Sequence, residues 1–342
     1  MRLQAEVLVI RGDIAESRHR VQAVVVGADG KVHSATAHPE RPTSFRSAAK
    51  PFQLLPFVER GHADRMQLDE PELAILAASH SGSRVHTTIV QGLLDRLGLS
   101  SSALACGYHD PMDAQALDDV RRDPGLRGPL YNNCSGKHAG MLAFCQAEGW
   151  PLAGYEQAGH PLQQLMLQTV AESCGVDPAS VRTGIDGCGI PVFGLPLVQM
   201  ALGYARIADA MAKGGDRRAQ ALQRIGRTMT RHPVVVEGEG RLATDLMRVT
   251  GGRLLAKSGA EGLLLVADPT RGEGVAIKCE DGAMRALGPA AVELLATVGL
   301  IEPTEVTRLA VHRMTPVTNA AGLPVGHLEA RIRAEAAGEV RA

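Results

Sequence analysis

The chain has 342 residues, 45% of them hydrophobic and 21% charged, with 38 glycines, which is length for one large domain or two and excludes a fibre, a coiled coil or a disordered segment. Thirty-six basic residues against 37 acidic ones give a formal charge of -1, so no global field draws the chain to phosphate backbones or anionic lipid, and ten aromatic side chains offer few platforms for stacking bases. Nucleic acid and membranes are therefore not expected partners. No stretch approaches the ~20 apolar residues of a membrane span, and the short run Val7–Ile10 falls below a signal-peptide core, so the cytoplasm is the expected compartment. There, Cys106, Cys134, Cys145, Cys174, Cys188 and Cys279 read as reduced thiols.

In chain order, residues 5–10 and 20–27 are Val-rich strands, and Asp29-Gly30 is a hairpin signal leading into KVHSATAH. From Ser47 the periodicity turns helical, over 47–60, 71–79, 86–98, 137–148, 160–174, 195–211, 215–231 and 239–250, with Gly and Pro between. Strand character returns in RLLAKSG, EGLLLVADP, EGVAIKCEDG and LPVGHLEARIR, with a helix over 284–299 before the last. This pattern predicts an α/β (α+β) protein whose antiparallel sheet is built from both chain ends and flanked by helices. Residues 1–60 and 251–342 are expected to form the sheet-containing domain and 61–250 an inserted, mainly helical region.

Of the 36 cations, 30 are Arg and only six are Lys, and three of those six sit in Ser- or Gly-rich contexts: Lys50, Lys137 and Lys257. A lysine can become a neutral amine where an arginine cannot, so its use in this chain points to proton chemistry. Ser47-Ala-Ala-Lys50 places a hydroxyl and an amine three residues apart on one helix face, where an unprotonated lysine can activate the serine. Backbone N–H groups near that helix start are candidates to hold an oxyanion. Alone, the pattern also suits a capping serine and a solvated lysine.

Two further segments follow in order: Ser79-His80-Ser81-Gly82 at the end of an apolar helix, and Lys257-Ser258-Gly259 on a strand. Penicillin-recognising enzymes use Ser-x-x-Lys, then Ser-Asp-Asn, then Lys-Thr-Gly on a strand. The middle segment departs from that pattern, so a shared Ser/Lys machinery is indicated and penicillin recognition is not. Two ammoniums ~4 Å apart at an effective dielectric of ~20 repel by about 4 kcal/mol, so convergence of Lys50 and Lys257 would bring one amine towards neutrality.

The other constellation is Asn132-Asn133-Cys134-Ser135-Gly136-Lys137-His138 with Gly184-Ile185-Asp186-Gly187-Cys188-Gly189. Without Cys-x-x-Cys spacing, two inert buried thiols remain an alternative to zinc. If zinc binds, the third ligand is Lys137 or His138, and chemistry favours the imidazole because it is neutral at pH 7.

The segments FRSAAKPFQLLP, AASHSGS, YNNCSGKHAGML, GIDGCGIPVFGLPL and LLAKSGAEG resemble the class 3, or rhizobial-type, L-asparaginases over roughly residues 5–335. The resemblance implies a serine beta-lactamase-like, glutaminase-like fold, a homodimer, and hydrolysis of asparagine to aspartate and ammonia by two Ser-Lys tandems. It implies Ser47 as nucleophile beside Lys50, Ser79 and Lys257 as the second tandem, and zinc on Cys134, Lys137 and Cys188 in place of His138. Arg46, His138 and Asp186 become candidate substrate-binding groups, Asp186 also through a zinc-bound water. A glutaminase or another Ser-Lys amidase is the alternative within hydrolases, and a non-catalytic zinc-binding module is the alternative outside them.

Overall fold

A computed structural model describes residues 1–335; residues 336–342, which the expected sheet-containing domain includes, lie outside the described residues. The chain divides into two compact units, one of Met1–Ala48, Leu195–Ala212 and Asp245–Ala342, the other of Ala49–Gly194 and Lys213–Thr244.

The first unit is a sheet unit. Its strands are β1 (Arg2–Arg11), β2 (Ile14–Gly27), β3 (Val32–Ala35), β4 (Leu255–Gly259), β5 (Leu263–Asp268), β6 (Glu273–Cys279), β7 (Pro316–Thr318) and β8 (Pro324–Glu335). They join in the order β7-β8-β1-β3-β2-β6-β5-β4, with β1 also paired to β2. Pairing is antiparallel apart from one bridge, Arg2 to Ala35. The two chain ends meet where β1 runs against β8, Arg2 opposite Glu335 through Arg11 opposite Gly326. The Asp29-Gly30 signal makes its hairpin: Gly30 takes φ +83° and donates its N–H to the Gly27 carbonyl, a turn geometry that favours glycine.

Leu263–Asp268 is buried along its whole length, which is why that segment reads as an unbroken apolar run rather than an alternating one. Two helices supply the cover. Met284–Thr297 packs on β1, β6 and β8, and Leu197–Lys213 lies so close to β6 that a Cβ at Gly274 would sit 2.0 Å from the Ala201 carbonyl oxygen. Only a glycine admits that approach.

The second unit is helical. It holds Lys50–Glu59, Glu70–Leu76, Arg84–Leu97, Ala114–Arg122, Ser135–Glu148, Pro161–Cys174 and Arg217–Arg231, with a short hairpin pairing Arg182–Ile185 to Pro191–Gly194. Helix Ser135–Glu148 presses on the end of Glu70–Leu76, where a Cβ at Gly136 would meet the Ile75 carbonyl oxygen at 2.3 Å.

These boundaries differ from the expected 1–60 plus 251–342 against 61–250. Helix Lys50–Glu59 belongs to the helical unit, and helix Leu197–Lys213 belongs to the sheet unit although it lies deep inside the predicted insertion. Periodicity identified both as helices but carries no information about what each apolar face covers. The first predicted helix also begins later than Ser47: Arg46–Ala49 is a 3-10 turn, and the α-helix starts at Lys50 with Pro51 in its first turn.

Candidate active site

In the sheet unit, Arg46 takes φ +45°, a left-handed conformation uncommon for a side-chain-bearing residue, immediately before Ser47. Two contacts hold the segment there. A Cβ at Gly259 would lie 3.2 Å from Arg46 Cβ, so the turn sits against the end of β4, and Tyr204 donates its hydroxyl to the Ala48 carbonyl at 2.9 Å. Lys257, two residues before Gly259, is fully buried opposite Leu265 and donates to the Ser258 carbonyl at 2.9 Å.

In the helical unit, Lys50 is 1% exposed, and its Nζ donates to the Ala78 carbonyl and to Ser79 Oγ at 2.8 Å. These two acceptors suit an ammonium; as a neutral amine, Lys50 would instead take the Ser79 proton on its lone pair. The Lys50 amine thus meets Ser79 from 29 positions away.

The Ser79 turn is fixed from several sides. Ser79 N–H donates to the Val236 carbonyl at 2.8 Å, and His80 N–H to the Asn133 carbonyl at 3.2 Å. His80 Nδ1 accepts from Gly82 N–H at 3.2 Å, so Nε2 carries the proton that goes to Ser135 Oγ at 2.9 Å, while that hydroxyl donates to Leu130 O at 2.9 Å. The His80 ring stacks on His86 at 4.9 Å. Burial, then the neighbouring His86 and Lys50, holds His80 well below the usual imidazole range, and burial lowers His86 as well.

Beyond Lys50 lies a cluster of sulfur and amine. Lys137 Nζ donates to Cys188 Sγ at 2.9 Å. Cys134 is held well below the ordinary thiol value, chiefly by the neighbouring Cys188, and Cys188 is raised, chiefly by Cys134. Burial opposes charge on Lys137, but Cys134 and Cys188 outweigh it and keep the ammonium above its ordinary value. Asn132 shapes the turn, accepting from Cys134 N–H at 2.9 Å and donating to the Cys106 carbonyl at 2.8 Å. Asp186 acts on Lys137 through its charge.

The two candidate nitrogens have different surroundings. Lys137 reaches the sulfur pair, whereas His138 faces Tyr155, whose hydroxyl accepts from Ala105 N–H at 2.9 Å and donates to His138 Nδ1 at 2.6 Å. His138 is fully buried, and its Nε2 has no hydrogen-bond partner among the described residues. Among the described residues no three His, Cys, Asp or Glu side chains form a metal-holding group. The Lys137 amine at 2.9 Å from Cys188 Sγ, with Cys134 just before the same helix, is a donor set of a kind that fits zinc, given that Lys137 sheds its proton on binding.

Sequence reasoning missed Tyr155, Asn132 and the Val236 carbonyl as supports of these groups. Asn132 lay inside a quoted motif, but a lone tyrosine and a backbone carbonyl leave no pattern to read.

The L-asparaginase II family model matches residues 7–330. The chain belongs to the L-asparaginase II family. A comparison with curated proteins finds no match. Among solved structures, this L-asparaginase II family member is similar to Mglu in its native form in the presence of 4.3 M NaCl, at 16% identity over 84% of this chain and 61% of that chain, TM-score 0.36. It is similar to Mglu in its tris and glutamate form, at 18% identity over 90% of this chain and 63% of that chain, TM-score 0.36. A provisionally assigned beta-lactamase from Bacteroides dorei DSM 17855 is similar at 11% identity over 85% of this chain and 93% of that chain, TM-score 0.40. The chain thus spans about three fifths of the length of the Mglu structures. No helix of the described residues is long and apolar enough to cross a membrane.

Proposed function

We propose that this chain is an amidohydrolase that converts L-asparagine to L-aspartate and ammonia. The observation that carries the reading is the family match over residues 7–330, and the Lys50 amine 2.8 Å from the Ser79 hydroxyl supports Ser-Lys chemistry within it.

In this reading Ser47 Oγ attacks the side-chain amide carbon and its proton passes to a neutral lysine amine. The C–N bond breaks, ammonia leaves with a proton returned by the lysines, and an aspartyl ester remains on Ser47. Water then cleaves the ester, delivering aspartate and restoring the hydroxyl. Lys50 and Ser79 relay protons, and Lys257 is the second amine. The Ser47 N–H is the proposed donor for the oxyanion, and Arg46 and His138 are the proposed substrate-binding groups. Zinc, when held by Cys134, Lys137 and Cys188, supplies a fixed positive charge that anchors the substrate, with Asp186 beside it. The resemblance carries the homodimer, which light scattering of the purified protein tests; the cytoplasm is the proposed compartment.

The deciding test is ammonia release from asparagine and glutamine, side by side, by the wild type and Ser47→Ala. A fall of ~10³-fold or more in kcat for asparagine, with circular dichroism unchanged, is expected. Full activity in the variant overturns the nucleophile, preference for glutamine overturns the substrate, and no activity together with unfolding on chelation points to a zinc-binding module. Chelation of an active enzyme is expected to raise KM with kcat largely kept.

A further inference from the structure

Six histidines are buried among the described residues: His19, His62, His80, His86, His138 and His160. Five of them engage both ring nitrogens in hydrogen bonds. His138 alone does not: its Nδ1 meets the Tyr155 hydroxyl at 2.6 Å, while its Nε2, equally buried, has no partner among the described residues. Tyr155 stands 17 positions further on, is 2% exposed, and meets the imidazole edge-on, with centroids 5.5 Å apart and planes at 76°. It is itself held at both ends. Its carbonyl accepts from Gln163 Nε2 at 2.8 Å, and its hydroxyl oxygen accepts from the Ala105 N–H at 2.9 Å. All of these groups lie in the helical unit.

Counting hydrogens fixes the form of the ring. A phenol has one hydrogen to give, and toward the Ala105 N–H it can only accept. If Nδ1 also donated to the phenol, the phenol hydrogen would be buried with no acceptor among the described residues; donation to Nδ1 leaves no atom of the hydroxyl unpaired. Nδ1 is then an acceptor, the ring is neutral, and its one proton sits on Nε2. A buried N–H without an acceptor is costly, so holding one in a fixed direction makes sense where an acceptor arrives from outside the chain. We infer that Tyr155 is a positioning residue: its hydroxyl fixes the Nε2–H form of His138, so that the ring offers one N–H to an acceptor oxygen of the amino-acid substrate. This rests on the reading of His138 as a substrate-binding group. The opposite tautomer would turn a lone pair toward that oxygen and repel it.

The test records the ring nitrogens of the histidines by NMR on the full-length protein, the His138 signals being those lost in His138→Ala. A proton on Nε2 and a hydrogen-bonded, unprotonated Nδ1 are expected in the wild type; a proton on Nδ1 overturns the inference, whatever the activity. Tyr155→Phe keeps the ring and removes only the hydroxyl. It is expected to shift the His138 Nδ1 resonance and to raise KM for asparagine about tenfold, with kcat kept within about threefold. An unmoved Nδ1 resonance or an unchanged KM overturns the role. In the His138→Ala background the same tyrosine substitution is expected to have no further effect on KM, because the hydroxyl acts through the imidazole. An equal rise in both backgrounds would show that the hydroxyl serves packing alone. Near-UV circular dichroism checks that each variant folds, and if Tyr155→Phe does not, the wild-type tautomer still decides. A wild type that carries the Nε2 proton but releases no ammonia from asparagine overturns the amidase reading and leaves the positioning of His138 intact.

Discussion

Lys257 of the sheet unit and Lys50 of the helical unit are both buried amines, and the two units house them in opposite ways. Lys257 stands in a strand, opposite Leu265, with the neighbouring Ser258 carbonyl as an acceptor. Lys50 stands at a helix start and draws partners from a distant turn, Ala78 and Ser79. A strand sets the direction of its side chains by alternation, so register places the amine. A helix start leaves its side chains to whatever loops arrive around them, so the polar network at Lys50 depends on the packing of the whole helical unit.

The largest effect should come from breaking the frame of the sheet unit. Gly274→Val forces a Cβ onto the backbone of Ala201 and Ala205, at 2.0 and 2.4 Å, and neither contact can yield by rotating a side chain. Loss of soluble, cooperatively melting protein is expected; a normal thermal melt would show that the sheet tolerates what the geometry forbids.

In the helical unit, Lys50→Met removes an amine and leaves Ser79 Oγ and the Ala78 carbonyl without this donor. Urea denaturation should show a loss of about 3 kcal/mol, alongside loss of activity. Unchanged stability would mean that the network around Lys50 is dispensable to the fold.

Acid should then distinguish the units more gently. His80 and His86 are held below their ordinary values, so the fold keeps them neutral while the unfolded chain takes protons below about pH 6.5. Their contribution is present above that pH and falls as pH drops, by up to ~1.4 kcal/mol per pH unit for each ring. Thermal melts from about pH 7.5 to 5.5 check this, and a flat profile would contradict it. The smallest effect belongs to the exposed hairpin pair Arg11 and Glu16, where Arg11→Gln should leave the melt unchanged.

Much of this was legible in the sequence because it is local. The Val-rich start, the Asp29-Gly30 turn, the apolar run at Leu263 and the helical periods each declare themselves within a few residues. Lysine scarcity and turn glycines likewise singled out Lys50, Lys137, Cys134 and Cys188 as candidates. The division between units was not legible: helix Leu197–Lys213 has an ordinary amphipathic pattern, and only the missing side chain at Gly274 betrays which sheet it covers.

By itself, then, the sequence determined which segments are strands or helices, since those follow from periods of two and 3.6 and from turn residues. Tertiary structure alone decided that the Lys50 amine meets Ser79 and that Lys137 rather than His138 meets Cys188. Sequence chemistry preferred the imidazole because it is neutral. Packing overrode that preference by turning His138 to the Tyr155 hydroxyl and placing the amine of the residue before it on the sulfur.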